Sequence, residues 1–242
     1  MMTCSFSRNA INLVASSACQ YCAKRLFCLV SVLALAAGCS VIDKPARATM
    51  YDFGPGALST QAMALPLATM AASALPPLAI ADIATSGGAL ENQAVLYRLG
   101  YLDDQQLRPY SQARWTMPPA QLVRQRLRER LSQQRVVLNA REGVALNRSQ
   151  NTHLMMLRLE LEEFSQLFSA PDASTGLVRL HATLVEITPA GERLVAQRNL
   201  AAQRPATSLD AAGGVRALTA ATDAAIDELD AWLRQMPALP AR

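Results

Sequence analysis

Beyond Cys39 this chain of 242 residues contains no cysteine; all five, Cys4, Cys19, Cys22, Cys28 and Cys39, stand in its first 39 residues. A disulfide framework or a cysteine-based metal site in the remainder is therefore excluded. The C-x-x-C of Cys19 and Cys22 reads as an accidental pair inside a leader. Histidine is nearly as scarce, with only His153 and His181. Two histidines without cysteine cannot complete a usual zinc site unless carboxylates join them, so no metal is expected and both read as partly buried strand residues. No G-x-x-x-x-G-K-[ST], G-x-S-x-G, H-E-x-x-H or G-x-G-x-x-G occurs, so the common phosphate-loop, nucleophile-elbow, zincin and dinucleotide sites have no footing. The chain is read as non-enzymatic and without a cofactor.

Acid is missing from residues 1–38, which hold Arg8, Lys24 and Arg25. Three of the 23 basic residues thus belong to that stretch, and the rest of the chain sets 20 basic against 19 acidic residues. The sequence pI near 9.0 is mostly a property of the first 38 residues, so it gives no warrant for nucleic acid as a partner. Long apolar runs are missing as well. Residues 26–38 (LFCLVSVLALAAG) are apolar but would span only about 20 Å as a helix, short of a hydrocarbon core of about 30 Å. The whole chain is 51% hydrophobic and 17% charged, enough apolar surface for a packed core.

Lys24-Arg25, the short apolar run and the small residues before Cys39 have the form of a secretory signal peptide. The ending Leu35-Ala36-Ala37-Gly38-Cys39 resembles the lipobox of bacterial lipoproteins. That resemblance implies cleavage before Cys39, a diacylglyceryl group on its thiol and an acyl chain on the new amino terminus, of the palmitate type. Several chains make such an anchor effectively permanent, since each buried methylene adds about 0.8 kcal/mol. Ser40 rather than Asp follows the cysteine, a pattern that resembles sorting to the outer membrane with the protein facing the periplasm. The expected organisation is a lipoprotein signal peptide at 1–38, the acylated Cys39 and a tether at 39–49, and one domain at 50–236.

Hydrophobic periodicity orders that domain. A short first strand is expected at Met50–Gly54, a loop over residues 57–76, a second strand at Leu78–Ala84 and a third at Gln93–Leu99. Pro118-Pro119 suits the first turn of a helix whose Ala120, Val123, Leu127 and Leu131 share one face, with Arg124, Arg128 and Glu129 off it. A short strand follows at Arg135–Leu138, a long one at His153–Glu162, and a hairpin from Leu177–Ile187 through Pro189-Ala190-Gly191 to Arg193–Leu200. A final helix is expected from Leu209 to Arg234, its Val215, Leu218, Ala225, Leu229, Trp232 and Met236 packing on the domain's own sheet, with Asp230 and Arg234 paired at i,i+4. The fold class is α+β: a mixed β-sheet with helices packed on one face, in a single domain.

Two charge clusters invite a functional reading. Glu160, Glu162 and Glu163 suggest paired carboxylates, but alternation puts Glu160 and Glu162 on the outer face of a strand, where a solvated surface places its charges. Arg124, Arg126, Arg128 and Arg130 could meet anionic head groups. Yet arginine outnumbers lysine throughout, with Lys44 the only lysine after Cys39, and a solvated helix face is the better account.

Tyr51-Asp52-Phe53, then Tyr101-Leu102-Asp103-Asp104 leading to Arg114-Trp115 and Pro118-Pro119, then the amphipathic helix that starts there, resemble the ABC-type transport auxiliary lipoproteins. These are outer-membrane lipoproteins of MCE-domain lipid transport systems. The resemblance implies a non-enzymatic docking role beside an MCE-domain protein and an ABC permease/ATPase complex that move phospholipid or another hydrophobic substrate between the two membranes. It singles out Arg114 and Trp115 as partner-binding residues, with a core aromatic as the plainer role for Trp115, and it is compatible with a homo-oligomer. A cell-envelope structural or regulatory lipoprotein, for example an activator of a peptidoglycan enzyme, and a periplasmic lipid carrier are the other readings the sequence leaves open.

Overall fold

Strong alternation in the C-terminal half builds the longest elements of the fold. A computed structural model describes residues 47–56, 75–150, 154–188 and 191–236. The leader, Cys39, the tether up to residue 46, residues 57–74 of the loop expected at 57–76, His153 and the turn residues Pro189-Ala190 lie outside the described residues. Three strands, β7 (Leu154–Ala170), β8 (Ala173–Thr188) and β9 (Gly191–Pro205), form an antiparallel meander. Leu157, Leu159 and Leu161 of β7 stand opposite Leu184, Ala182 and Leu180 of β8, and all six are buried. A one-residue bulge at Glu162 shifts the register between Leu161 and Glu163. The bulge puts Phe164 on the same buried side as Leu161 although the two lie an odd number of residues apart, which is how an extra residue re-aims side chains.

The other edge of β7 is served in sequence by three short parallel strands from one stretch of chain. These are β2 (Leu78–Ile80), β3 (Ala84–Thr85) and β4 (Ala94–Leu99), which pair with Met155–Leu157, Glu160–Leu161 and Gln166–Phe168. The expected single strand at Leu78–Ala84 is thus two. The chain carries one more residue between Ile80 and Ala84 than β7 carries opposite it, and the slack is released at exposed Asp82. An outer row follows: β6 (Val137–Asn139) lies parallel to β2, β5 (Asp103–Trp115) lies antiparallel to β4, and β1 (Thr49–Tyr51) lies parallel to β5. The sheet is mixed and has nine strands among the described residues. Strand β5 occupies a region whose sequence, DDQQLR, shows no alternation; pairing with β4 rather than burial makes it a strand.

Helix α1 (Pro119–Ser132) begins with proline at its first position, and its buried residues are Pro119, Ala120, Leu122, Val123, Leu127 and Leu131. Helix α3 (Ala211–Arg234) is capped by Asp210, whose carboxylate accepts from Gly213 N–H at 2.8 Å, satisfying one orphan donor of the first turn. It packs on β8 and β9, as its apolar stripe predicts. Close approach makes this possible: a Cβ at Gly176 of β8 would lie 2.4 Å from the backbone of Ala217 and Leu218. Both helices share one core with the inner face of the sheet, including Phe53, Trp115, Phe164, Leu200, Leu218, Leu229 and Trp232. A third helix, α2 (Ala140–Gln150), covers a corner of the opposite face, where Ala79, Leu154, Met156, Val185 and Ile187 form a second cluster against Ala140 and Val144. That is why all three residues of β2 are buried although a strand turns alternate side chains to opposite faces.

Candidate functional site

The interruption of the outer row leaves a cleft. β2 has β6 at its outer edge and β4 has β5, while β3 between them pairs, among the described residues, only with β7. An open cleft of about 1340 Å³ lies there, floored by Ile83, Ala84 and Thr85, bounded by Leu90 and Glu91 on one side and Val137 on the other, and walled by α1 through Gln121, Arg124, Gln125 and Arg128. Met117 and Pro118 close the end where β5 turns into α1. The lining mixes apolar side chains with both signs of charge. That composition suits a polar, hydrogen-bonding chain better than a bare hydrocarbon.

Helical spacing sends the four arginines of α1 to two sides. Arg126 donates to Asp223 of α3, Nε to Oδ1 at 2.7 Å, and Arg130 pairs with Asp227 at 2.9 Å. Arg124 pairs with Asp82 at 2.5 Å, and Arg128 donates through NH2 to the carbonyl of Val137 at 3.4 Å. The row is neither a bare solvated face nor a set of cations turned to a membrane, because each guanidinium meets its own chain. The side chain of Arg126 is 14% exposed against 41% for Arg130, so the first of these pairs is the better shielded. Beyond α1, Arg135 lies against the buried carboxylate of Asp230 at 3.7 Å, and Arg234 reaches the same carboxylate at 2.5 Å. Burial pulls the Arg135 guanidinium below its ordinary pKa against the raising effect of Asp230.

Trp115 is fully buried. Its ring makes edge contacts with Phe53 and Phe164 at centroid distances of 5.7 and 5.5 Å, which gives it the core role and leaves no surface for a partner. Its neighbour Arg114 is half-buried, and its NH1 donates to the carbonyls of Tyr110 and Ala113 in its own strand. The three glutamates do not come together as a dyad: Glu163 takes a two-point contact from Arg98 of β4 at 3.0 and 3.2 Å, and Glu162 pairs with Arg179 at 3.4 Å. His181 shares its Nδ1 with Asn199 Oδ1 at 2.6 Å on the polar outer face of the meander. Among the described residues no cluster of three or more His, Cys, Asp or Glu is placed to hold a metal. Tyr110 donates to Gln166 Oε1 at 2.8 Å, and Gln166 in turn donates to Ser174. Burial first, then the neighbouring Tyr97 and Asp210, pushes the Tyr110 hydroxyl up to about 12. The cleft itself escaped the sequence, since Asp82, Ile83, Leu90 and Glu91 form no motif; the one local signal was the proline pair that starts its α1 wall.

Residues 61–229 match the family described as the ABC-type transport auxiliary lipoprotein component. No curated protein matches the chain. Among solved structures the fold is similar to that of protein XCC0632 from Xanthomonas campestris, a DUF330 protein, at 17% identity with a TM-score of 0.54, over 66% of this chain and 84% of that one. The hypothetical protein CT253 from Chlamydia trachomatis matches at 12% identity and a TM-score of 0.44, over 66% of this chain and 96% of that one.

Proposed function

The chain belongs to the ABC-type transport auxiliary lipoprotein component family, and we propose on that footing that it is the lipid-anchored, outer-membrane end of an MCE-type transport system. In this reading Cys39 carries the anchor, the domain hangs on the periplasmic side, and energy comes from a permease and ATPase on other chains. The substrate is phospholipid or another hydrophobic molecule. The role is docking rather than catalysis. The family match over 61–229 is the observation that carries the reading. The mixed polar lining of the cleft supports docking over carriage, because an acyl chain laid against Asp82, Glu91 and Glu129 would desolvate charges without pairing them. Arg114, half-buried near the end of β5, remains the residue of the Arg-Trp step available for a partner contact.

Affinity purification of the tagged full chain from its own cells tests this directly. Recovery of an MCE-domain protein together with the permease or ATPase is expected. Repeated recovery of the chain with a peptidoglycan enzyme and no MCE-domain protein would replace the reading with the regulatory one.

A further inference from the structure

The break in the outer row exposes backbone as well as side chains. Ser86 N–H donates to Leu161 O at 3.1 Å, and the backbone groups of successive strand residues point to opposite edges. Ala84 therefore turns its N–H and C=O toward β7, while the C=O of Ile83 and both backbone groups of Thr85 turn outward into the cleft. Among the described residues no strand pairs with that outer edge. From Leu157, opposite Ile80, to Gln166, opposite Tyr97, β7 runs about 30 Å at roughly 3.3 Å per residue. Its middle section is therefore long enough to be matched by a strand of several residues.

Charge selects among occupants. Arg124 is answered by Asp82, and Arg126 and Arg130 by acids of α3. Arg128 has only the carbonyl of Val137, and no carboxylate among the described residues pairs with it. A carboxylate would complete it with a charge-assisted bond. An acyl chain in the same place would cover the outward C=O of Ile83 and the N–H and C=O of Thr85 without satisfying them, a desolvation penalty that an added strand avoids.

We propose that an extended segment of a partner protein, carrying an acidic side chain for Arg128, adds as a strand to the outer edge of β3 and completes the interrupted row. Main-chain hydrogen bonds to Ile83 and Thr85 give the affinity, and alternate side chains of the segment rest on Leu90 and Met117 for specificity. The proposal deepens the docking reading and rests on it in one respect, that the chain acts by binding another protein.

The test places photoreactive benzoyl-phenylalanine at Gln121, an exposed position on the cleft wall, in the full chain in its own cells. Irradiation is expected to give an adduct that maps to an acid-bearing segment of another protein. Thr85→Pro removes the outward N–H without touching the ladder to β7, and should lower the adduct at least tenfold, while Thr85→Ala retains it. Arg128→Glu should cause a similar loss with the backbone intact, and exchanging the segment's acid for arginine should restore the adduct. An adduct with phospholipid, with a second copy of this chain or with this chain's own residues 57–74 overturns the proposal. So does an adduct indifferent to Thr85→Pro and Arg128→Glu, or the lack of any adduct. An MCE-domain protein recovered by purification with no adduct at Gln121 overturns the cleft alone. An adduct on a protein from outside any transport system keeps the cleft and removes the transport reading.

Discussion

Trp115 and Arg114 are adjacent, and the strand separates their fates. The indole sits between Phe53 and Phe164, so Trp115→Ala should cost about 3–5 kcal/mol through lost burial and the cavity left behind. Arg114→Ala should cost within about 1 kcal/mol, because it removes bonds to two half-buried carbonyls of the same strand. Urea unfolding followed by tryptophan fluorescence from Trp232 reads the first, and the same transition by circular dichroism reads the second. Tyr110 makes a pH prediction. Its hydroxyl pKa is about 12 in the folded protein against the ordinary 10.0, so the folded state holds the proton that the unfolded state loses. Stability is therefore unaffected by this group below pH 10 and declines between pH 10 and 12. Ultraviolet titration at alkaline pH should show one late-ionising tyrosine, and Tyr110→Phe should abolish that phase.

At the scale of elements, the contact between α3 and β8 depends on a missing side chain. Gly176→Ala would drive a Cβ into the backbone of Ala217 and Leu218, which cannot yield as the tip of a flexible side chain would. A loss of about 2–3 kcal/mol is expected, seen as a lower melting temperature. Gly143→Ala on α2 meets the Cβ of Ala79 at 2.7 Å and the end of Leu154 at 2.9 Å, and should cost less because α2 covers only a corner of the sheet. Elements with strong period were legible in the sequence: the β7–β8–β9 meander through its alternating leucines, and α1 and α3 through their stripes. The rest was hidden for physical reasons. Strand β5 is made by its partner, not by its own pattern. Helix α2 is short, yet it did carry a sign. Asn139 and Glu142 cap it reciprocally, each side chain accepting from the other's N–H at 2.8 Å, and an Asn-x-x-Glu step is readable as a variant of the capping box. The cleft was illegible because it arises where three separate stretches fail to meet, and absence of pairing leaves no mark on any one of them.

For the whole molecule, the proposed lipid anchor on Cys39 would decide location, and the folded domain what is met there. Replacing Cys39 by Ala should move the protein from the outer-membrane fraction to a soluble periplasmic or uncleaved form while leaving the domain folded. Fractionation with immunoblotting, alongside protease resistance of residues 47–236, separates the two effects. Retention in the outer membrane would show that some other part of the chain holds it there.

The dependence of β2, β3 and β4 on a single edge of β7 sets an order of assembly in time. Each of their pairings with β7 closes a loop of roughly 70 residues or more, whereas β7 and β8 close through a tight hairpin at Pro171-Asp172. Local closures are entropically cheaper and come first. As the chain emerges from its amino end, β4 can pair with β5 at once across a tight turn, while the segment from residue 78 to 85 must wait for β7, which begins about 70 residues later. A stalled or truncated chain ending before Leu154 would thus present that segment to proteases and to holding chaperones.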